Sequence, residues 1–147
     1  MDSSLVYLVQ TDTTVGFSSS DDEKLCLIKN RPTNQKTLQT VDSFKTLKLK
    51  TRVPKLHKKR VRNSKKTTFI YPNSQSFRVI SRDDKYYSFI SKFKVLYSSS
   101  ANLTKKSFDF EFASKSSDVV VFTKEGFSEK TPSSIYKLYK NKLKRIR

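Results

Sequence analysis

Leu5-Val6-Tyr7-Leu8-Val9 is an almost continuous apolar run with β-branched and aromatic members, the pattern of a strand covered on both faces and set centrally in a sheet. Residues 18 to 22 offer capping hydroxyls and first-turn acids, and Leu25, Leu27 and Ile28 follow as an apolar stripe until Pro32 turns Arg31 out of helical geometry. The spacing predicts one short helix with Lys29 at its end and Arg31 just beyond. Thr67-Thr68-Phe69-Ile70-Tyr71 and Phe77-Arg78-Val79-Ile80 flank Pro72-Asn73 and predict two strands joined by a short connection. Asp83-Asp84 can cap a helix carrying Tyr86, Phe89, Ile90 and Phe93 on one face. Lys94-Val95-Leu96-Tyr97 predicts a further strand, which delivers a loop from Ser98 to Asn102. Phe108, Phe110 and Phe112 alternate as a strand would, whereas Ile135, Leu138, Tyr139, Leu143 and Ile146 fall at the spacing of a basic amphipathic helix.

Strands alternating with helices imply an α/β protein, and 147 residues with about a third apolar support one core, so residues 1–147 read as a single domain. No apolar run reaches the roughly 18 residues of a membrane span, and Met1-Asp2-Ser3-Ser4 lacks the basic start of a signal peptide. A soluble, cytoplasmic protein without a membrane partner is expected. Cys26 and His57 are the only residues of their kinds, which argues against an internal disulfide, a Cys/His metal cluster and a Ser-His or Cys-His nucleophile pair. His57, set among Lys55, Lys58, Lys59 and Arg60, reads as an exposed loop residue.

The formal charge of +18 changes the picture, because self-repulsion on this scale opposes compaction unless a polyanion screens it. No acid occurs from Ser43 to Arg82, while Lys55, Lys58, Lys59, Arg60, Arg62, Lys65 and Lys66 crowd into that window. They are a candidate RNA-facing patch.

Candidate chemistry gathers in loops, where α/β sheets place their ligands. Thr11-Asp12-Thr13 supplies two hydroxyls and a carboxylate, and one of only two glycines follows at Gly16, as a close backbone approach would require. Lys29 and Arg31 pair a compact charge with a planar fork, a combination suited to a substrate bearing carboxylate and phosphate. Ser98, Ser100 and Asn102 can each donate and accept a hydrogen bond toward a phosphate or carbamate.

The ordered set Thr11-Asp12-Thr13, Gly16, Lys29-Asn30-Arg31, Ser100-Ala101-Asn102, Val119-Val120-Val121-Phe122, Gly126, Ser133-Ser134-Ile135-Tyr136 and Arg147 resembles the YrdC-like threonylcarbamoyl-AMP synthase family over nearly the whole chain. The resemblance implies a twisted mixed sheet with flanking helices in a single YrdC-like domain. It implies a short helix near Phe110 and, against the helical spacing, two strands at the C-terminal end, which we adopt. The implied reaction joins L-threonine, bicarbonate and ATP into threonylcarbamoyl-AMP and pyrophosphate, for threonylcarbamoyladenosine in tRNA. Lys29 and Arg31 would be the catalytic cations; Thr11, Asp12, Thr13, Lys29, Arg31 and Ser100 would bind threonine carbamate. Lys29, Arg31, Arg78, Ser98, Ser100, Asn102, Ser134 and Arg147 would bind nucleotide, with Mg²⁺ held mainly through the phosphates. Other tRNA-modification proteins would take the product. Departures from the family pattern at Gln10 (family Pro), Val15 (Tyr), Ser64-Lys65-Lys66 (Pro-Gly-Pro) and Thr104-Lys105 (small residues) mark a short, divergent member. They also motivate the alternative of a non-catalytic RNA-binding protein with the same fold.

Overall fold

The computed structural model describes residues 1–34 and 36–147. Its nine strands form one sheet in the order β7-β1-β2-β6-β3-β5-β4-β8-β9. The strands are β1 (Tyr7–Gln10), β2 (Val15–Ser19), β3 (Gln39–Val41), β4 (Thr67–Ile70), β5 (Ser76–Val79), β6 (Val95–Ser100), β7 (Val119–Val120), β8 (Ser134–Leu138) and β9 (Leu143–Arg145). The β1/β7, β3/β5 and β4/β8 pairs are parallel and the other five antiparallel. The helices are α1 (Asp22–Lys29), α2 (Phe44–Lys50), α3 (Lys58–Asn63), the single turn α4 (Tyr87–Ile90) and α5 (Phe110–Ser116), with a 3₁₀ turn at Lys55–His57.

Local chemistry sets the boundaries of α1. The Asp21 carboxylate accepts from the Lys24 amide, and Asn30 adopts a left-handed conformation (φ 52°) that lets its amide and that of Arg31 reach Cys26 and Leu27 carbonyls. This cap aims Lys29 and Arg31 together at the sheet. The apolar run at the start of the chain is buried as expected but lies one strand in from the edge, because the two-residue β7 flanks it. The middle of the sheet falls to β6, β3 and β5, and β2 is not evident in Val15-Gly16-Phe17-Ser18-Ser19 because its small polar residues mask a strand buried on both faces.

Alternation divides the sheet into two surfaces. Phe69 and Phe77 point to one side, where they pack with Val41, Leu47, Val53, Val61, Tyr71 and Leu138 beneath α2 and α3. Truncating the fully buried Leu47 to Ala would cost about 2–5 kcal/mol. Thr68, Ile70, Ser76 and Arg78 point to the other side and line a cavity. Two further clusters, one around Phe17 and Leu25 beneath α1 and α5 and one around Tyr7, Phe89 and Ile90 beneath α4, complete the core.

Three expectations are corrected or decided here. The alternating phenylalanines form no strand: the Asp109 side chain accepts from the Glu111 amide and starts α5, which buries Ala113 and sets Phe112 edge-on to Phe17. The C-terminal stretch is a β-hairpin, since parallel pairing of β8 with β4 outweighs the helical spacing of its apolar residues. His57 is buried at 5 % exposure, and its Nε2–H donates to the Tyr139 carbonyl at 2.9 Å, fastening the 3₁₀ turn to the β8–β9 turn. No helix among the described residues is long and apolar enough to cross a membrane.

Candidate functional site

A cavity of about 340 Å³ opens on the sheet surface opposite α2 and α3. Its floor is Gly16 of β2, Ser98 and Ser100 of β6, Ile70 of β4, Ser76 of β5 and Ile135 of β8, and its rim is Thr11, Thr13, Thr14, Arg31, Leu38, Pro132 and Arg147. Gly16 is required by contact and not by dihedral: a Cβ there would stand 2.9 Å from the Ser99 carbonyl oxygen and 3.2 Å from Thr11 Cγ2. Its absence lets β2 and β6 close under the 11–14 turn.

That turn is self-satisfied. Thr11 Oγ1 donates to the Thr14 carbonyl at 2.5 Å and accepts from the Thr13 amide at 3.2 Å. Asp12 points away from the cavity into a buried ion pair: Arg78 Nη2 and Nε lie 2.9 and 3.1 Å from Asp12 Oδ1. Burial pushes the Asp12 carboxyl above its ordinary range, and the adjacent guanidinium opposes that rise. Arg78, only 3 % exposed, reaches toward Thr68 Oγ1 with its remaining arm, and Thr68 in turn bonds Ser133 Oγ at 2.8 Å. Arg147 closes the chain of contacts, donating from Nε and Nη2 to the Ser133 carbonyl at 2.9 and 2.8 Å. Arg78 and Arg147 therefore brace the wall from which they face the cavity.

Lys29 is 7 % exposed, and its ammonium is surrounded by the Ser100 carbonyl (2.9 Å), Ser100 Oγ (3.4 Å), the Asn102 carbonyl and Asn102 Oδ1 (3.2 Å). Burial, reinforced by the charge of Arg31, lowers its pKa to about 8. It locks the 100–102 loop to the end of α1. Arg31 is the less committed cation: Nη2 donates to Thr37 Oγ1 at 3.3 Å, and among the described residues its buried Nε has no partner.

The structure thus brings Thr11, Thr13, Arg31, Arg78, Ser98, Ser100 and Arg147 to one cavity, with Lys29 and Asp12 directly behind its wall. Asn102 lines an adjoining hollow of about 270 Å³ that shares Thr14, Ser100 and Pro132 with the cavity. Ser134 does not line it; its neighbours Ser133 and Ile135 do, as the alternation of β8 dictates. Thr68, Ser76 and Ser133 are not among the candidate site residues from the sequence, although the same alternation places Thr68 and Ser76 beside Arg78. No carboxylate lines the cavity among the described residues, and no group of three or more His, Cys, Asp or Glu gathers to hold a metal. The basic window is split: Lys55, Lys58, Lys59, Arg60 and Arg62 are exposed on the far side of the sheet, whereas Lys65 pairs with Asp83 at 2.8 Å and Lys66 faces a hollow shared with Asp83 and Asp84.

No family model and no curated protein matches the chain. Solved structures do. Sua5 from P. abyssi complexed with L-threonine has 14 % identity and a TM-score of 0.76 over 98 % of this chain and 50 % of that one. YciO from E. coli has 14 % identity and a TM-score of 0.75, covering 97 % of this chain and 82 % of that one. The MTH1692 protein from Methanobacterium thermoautotrophicum has 17 % identity and a TM-score of 0.70, covering 97 % and 79 %. The chain spans about half the length of Sua5. Sheet order, cavity and these likenesses together establish an α/β protein with the YrdC-like fold.

Proposed function

We propose that this protein is a threonylcarbamoyl-AMP synthase, which binds ATP and L-threonine in the cavity and its adjoining hollow and acts in the cytoplasm toward tRNA modification. The observation that carries the reading is a cavity rimmed by cations and hydroxyls in which, among the described residues, no carboxylate and no side-chain nucleophile poised by a base is found, Glu129 lining only the adjoining hollow. A site of this kind positions anions and stabilises developing charge, which is what adenylation demands. The size supports it: about 340 Å³ is at the low end for a small-molecule site, and the adjoining 270 Å³ adds room for an amino acid. The L-threonine held by the structurally similar Sua5 supports the choice of amino acid.

In this reading the threonine amine and bicarbonate form a carbamate with loss of water. A carbamate oxygen then bonds to the α-phosphorus of ATP, the bond from that phosphorus to the bridging oxygen breaks, and its electron pair leaves with pyrophosphate. Arg31 meets the phosphates with its open guanidinium edge. Lys29 holds Ser100 and Asn102 so that their polar atoms keep one geometry through the reaction. The Leu38, Ile70 and Ile135 side chains offer an apolar bed for the nucleobase. Mg²⁺ would ride on the phosphates, neutralising their charge, since no protein carboxylate is available to hold it in the cavity.

Pyrophosphate release from ATP should require both L-threonine and bicarbonate and should disappear in Arg31→Ala. Release that ignores threonine, or that survives in Arg31→Ala at the wild-type rate, would overturn the assignment.

A further inference from the structure

We infer a second binding surface, for structured RNA, on the sheet face opposite the cavity, so that RNA and the small substrates occupy the protein together without competing. The inference rests on where charge and chain meet and not on catalysis, so it stands or falls apart from the synthase reading.

Residues 43–82 and residues 130–147 contain no acid. The fold brings them together. A groove of about 740 Å³ is lined by Arg52 and Lys55 from the first stretch and by Lys140 from the second, with Pro54, Leu56 and Pro72 between. The bond from buried His57 to the Tyr139 carbonyl fixes the two segments against each other, so the groove has a defined shape. Lys58, Lys59 and Arg62 extend the same basic layer along α3, and all are exposed.

Nothing nearby neutralises this charge. Among the described residues, the only cations of the 43–82 window in ion pairs are Lys65 and Arg78, and both lie outside the groove. The acid closest in sequence, Asp42, is buried and bonded to Ser43 and Thr46. Unpaired cations crowded on one rigid face repel one another and release that energy when a polyanion displaces its counterions.

Chemistry favours RNA over an anionic membrane. A helix that lies in a bilayer presents a broad apolar face, but Phe44 and Leu47 of α2 are turned inward onto the sheet. The apolar groups left outside are Leu49 and the Pro54, Leu56 and Pro72 side chains of the groove, set among cations and too few for the broad face a bilayer needs. A concave, cationic groove with scattered apolar contacts fits a phosphate backbone.

Independence from the cavity follows from the sheet. The groove is lined by residues 51–56 and by the β4–β5 and β8–β9 turns and shares no residue with the cavity; the α3 cations beyond it lie on the Phe69 and Phe77 side of the sheet, whereas Thr68, Ile70, Ser76 and Arg78 face the cavity.

The test is fluorescence anisotropy of a labelled transfer RNA transcript over a series of KCl concentrations. The patch triple Arg52→Gln/Lys55→Gln/Lys140→Gln is compared with Lys92→Gln/Lys115→Gln/Lys124→Gln, which removes the same charge from exposed positions elsewhere. Neutral substitutions at solvent-facing sites leave the core untouched, and circular dichroism verifies folding; Arg52→Ser/Lys55→Ser/Lys140→Ser serves as the second patch variant. The patch triple should weaken binding by roughly 30-fold or more and lower the salt slope by about 3, and the control by less than about 3-fold. Saturating ATP with L-threonine should shift RNA affinity by less than about 2-fold. Equal losses in patch and control triples, displacement of RNA by ATP, or tighter binding to vesicles containing phosphatidylserine than to the RNA would each overturn the proposal.

Discussion

Arg78→Ala should reveal how much of the cavity wall depends on one buried ion pair. Arg78 and Asp12 are about equally inaccessible, with 4 % and 3 % of their side chains exposed, and the guanidinium meets Asp12 Oδ1 at 2.9 Å. Truncating Arg78 strands a carboxylate in the protein interior, which costs about 3–5 kcal/mol in comparable pairs. For a chain of this length each kcal/mol lowers Tm by about 2–4 °C, so melting should fall by roughly 6–20 °C. The loss should also depend on pH in a definite direction. Asp12 in the folded protein already titrates above the ordinary carboxylate range, because burial raises it while Arg78 opposes the rise. Removing Arg78 leaves burial unopposed and raises it further. The folded variant then binds a proton more readily than the unfolded chain, so stability is recovered as pH falls through the folded-state value. The assay is thermal melting of wild type, Arg78→Ala, Asp12→Ala and the double variant at pH 7.5 and at about pH 5. The deficit of Arg78→Ala should shrink at the lower pH, and the double variant should cost less than the two singles combined. Additive single effects, or a deficit that does not change with pH, would refute the reasoning.

Other consequences follow from the same geometry. Arg31→Ala should lower kcat/KM for ATP by about 10²–10³-fold, as for loss of a preorganised donor, with Tm almost unchanged because, among the described residues, the Arg31 side chain makes only the 3.3 Å bond to Thr37; a large fall in Tm would make it structural. The basic limb of the kcat/KM profile should fall near pH 8, where the Lys29 ammonium loses its proton and releases Ser100 and Asn102, and Lys29→Arg should carry that limb beyond it. Stability moves the opposite way: with the folded value about 8 and the ordinary lysine value of 10.5 in the unfolded chain, the unfolded chain holds more protons between them, so the Lys29 contribution grows as pH rises through that window. A profile flat from neutrality to pH 9.5 would contradict the role given to Lys29. Gly16→Ala drives a methyl against the Ser99 carbonyl oxygen at 2.9 Å, so β2 and β6 must part. A stability loss of about 1–3 kcal/mol and weakened ATP binding in a calorimetric titration are expected; an unaltered Tm would contradict the close approach.

What could be read from the chain depended on which forces are local. The α1 boundaries and the placing of Lys29 and Arg31 were legible because Asp21 and Asn30 act within a few residues of themselves. So were β4, β5 and the first half of β6, marked by Phe69-Ile70, by Phe77 and Val79, and by Val95-Leu96-Tyr97; Ser98–Ser100, expected in a loop, instead extend β6, because β2 pairs with them. The strand Val15–Ser19 was not, since its burial comes from neighbours far off in sequence and its own serines and glycine give no apolar signal. The C-terminal hairpin is the clearest case: Ile135, Leu138, Tyr139, Leu143 and Ile146 fit a helix by spacing, and only β4 decides otherwise. His57 was misjudged because its partner, the Tyr139 carbonyl, is 82 residues away.

The candidate site shows the same division. Residue identities marked Thr11, Arg31, Ser98 and Ser100, but not which polar groups were already spoken for. Asp12 and Arg78 were each marked for ligand and instead hold each other. Lys29, a catalytic cation by the resemblance, clamps the 100–102 loop through Ser100 and Asn102. Ser134, one residue from Ser133 and so on the other face of the strand, does not line the cavity.

The most direct test of the central claim is incorporation of labelled bicarbonate into a nucleotide product by the purified protein with ATP, Mg²⁺ and L-threonine, beside a reaction lacking threonine and one with Arg31→Ala. The account predicts a labelled threonylcarbamoyl-AMP that forms only with threonine and is lost in the variant. Well-folded protein that forms no labelled nucleotide and binds no ATP would contradict it, leaving an RNA-binding protein that keeps the YrdC-like fold without its chemistry.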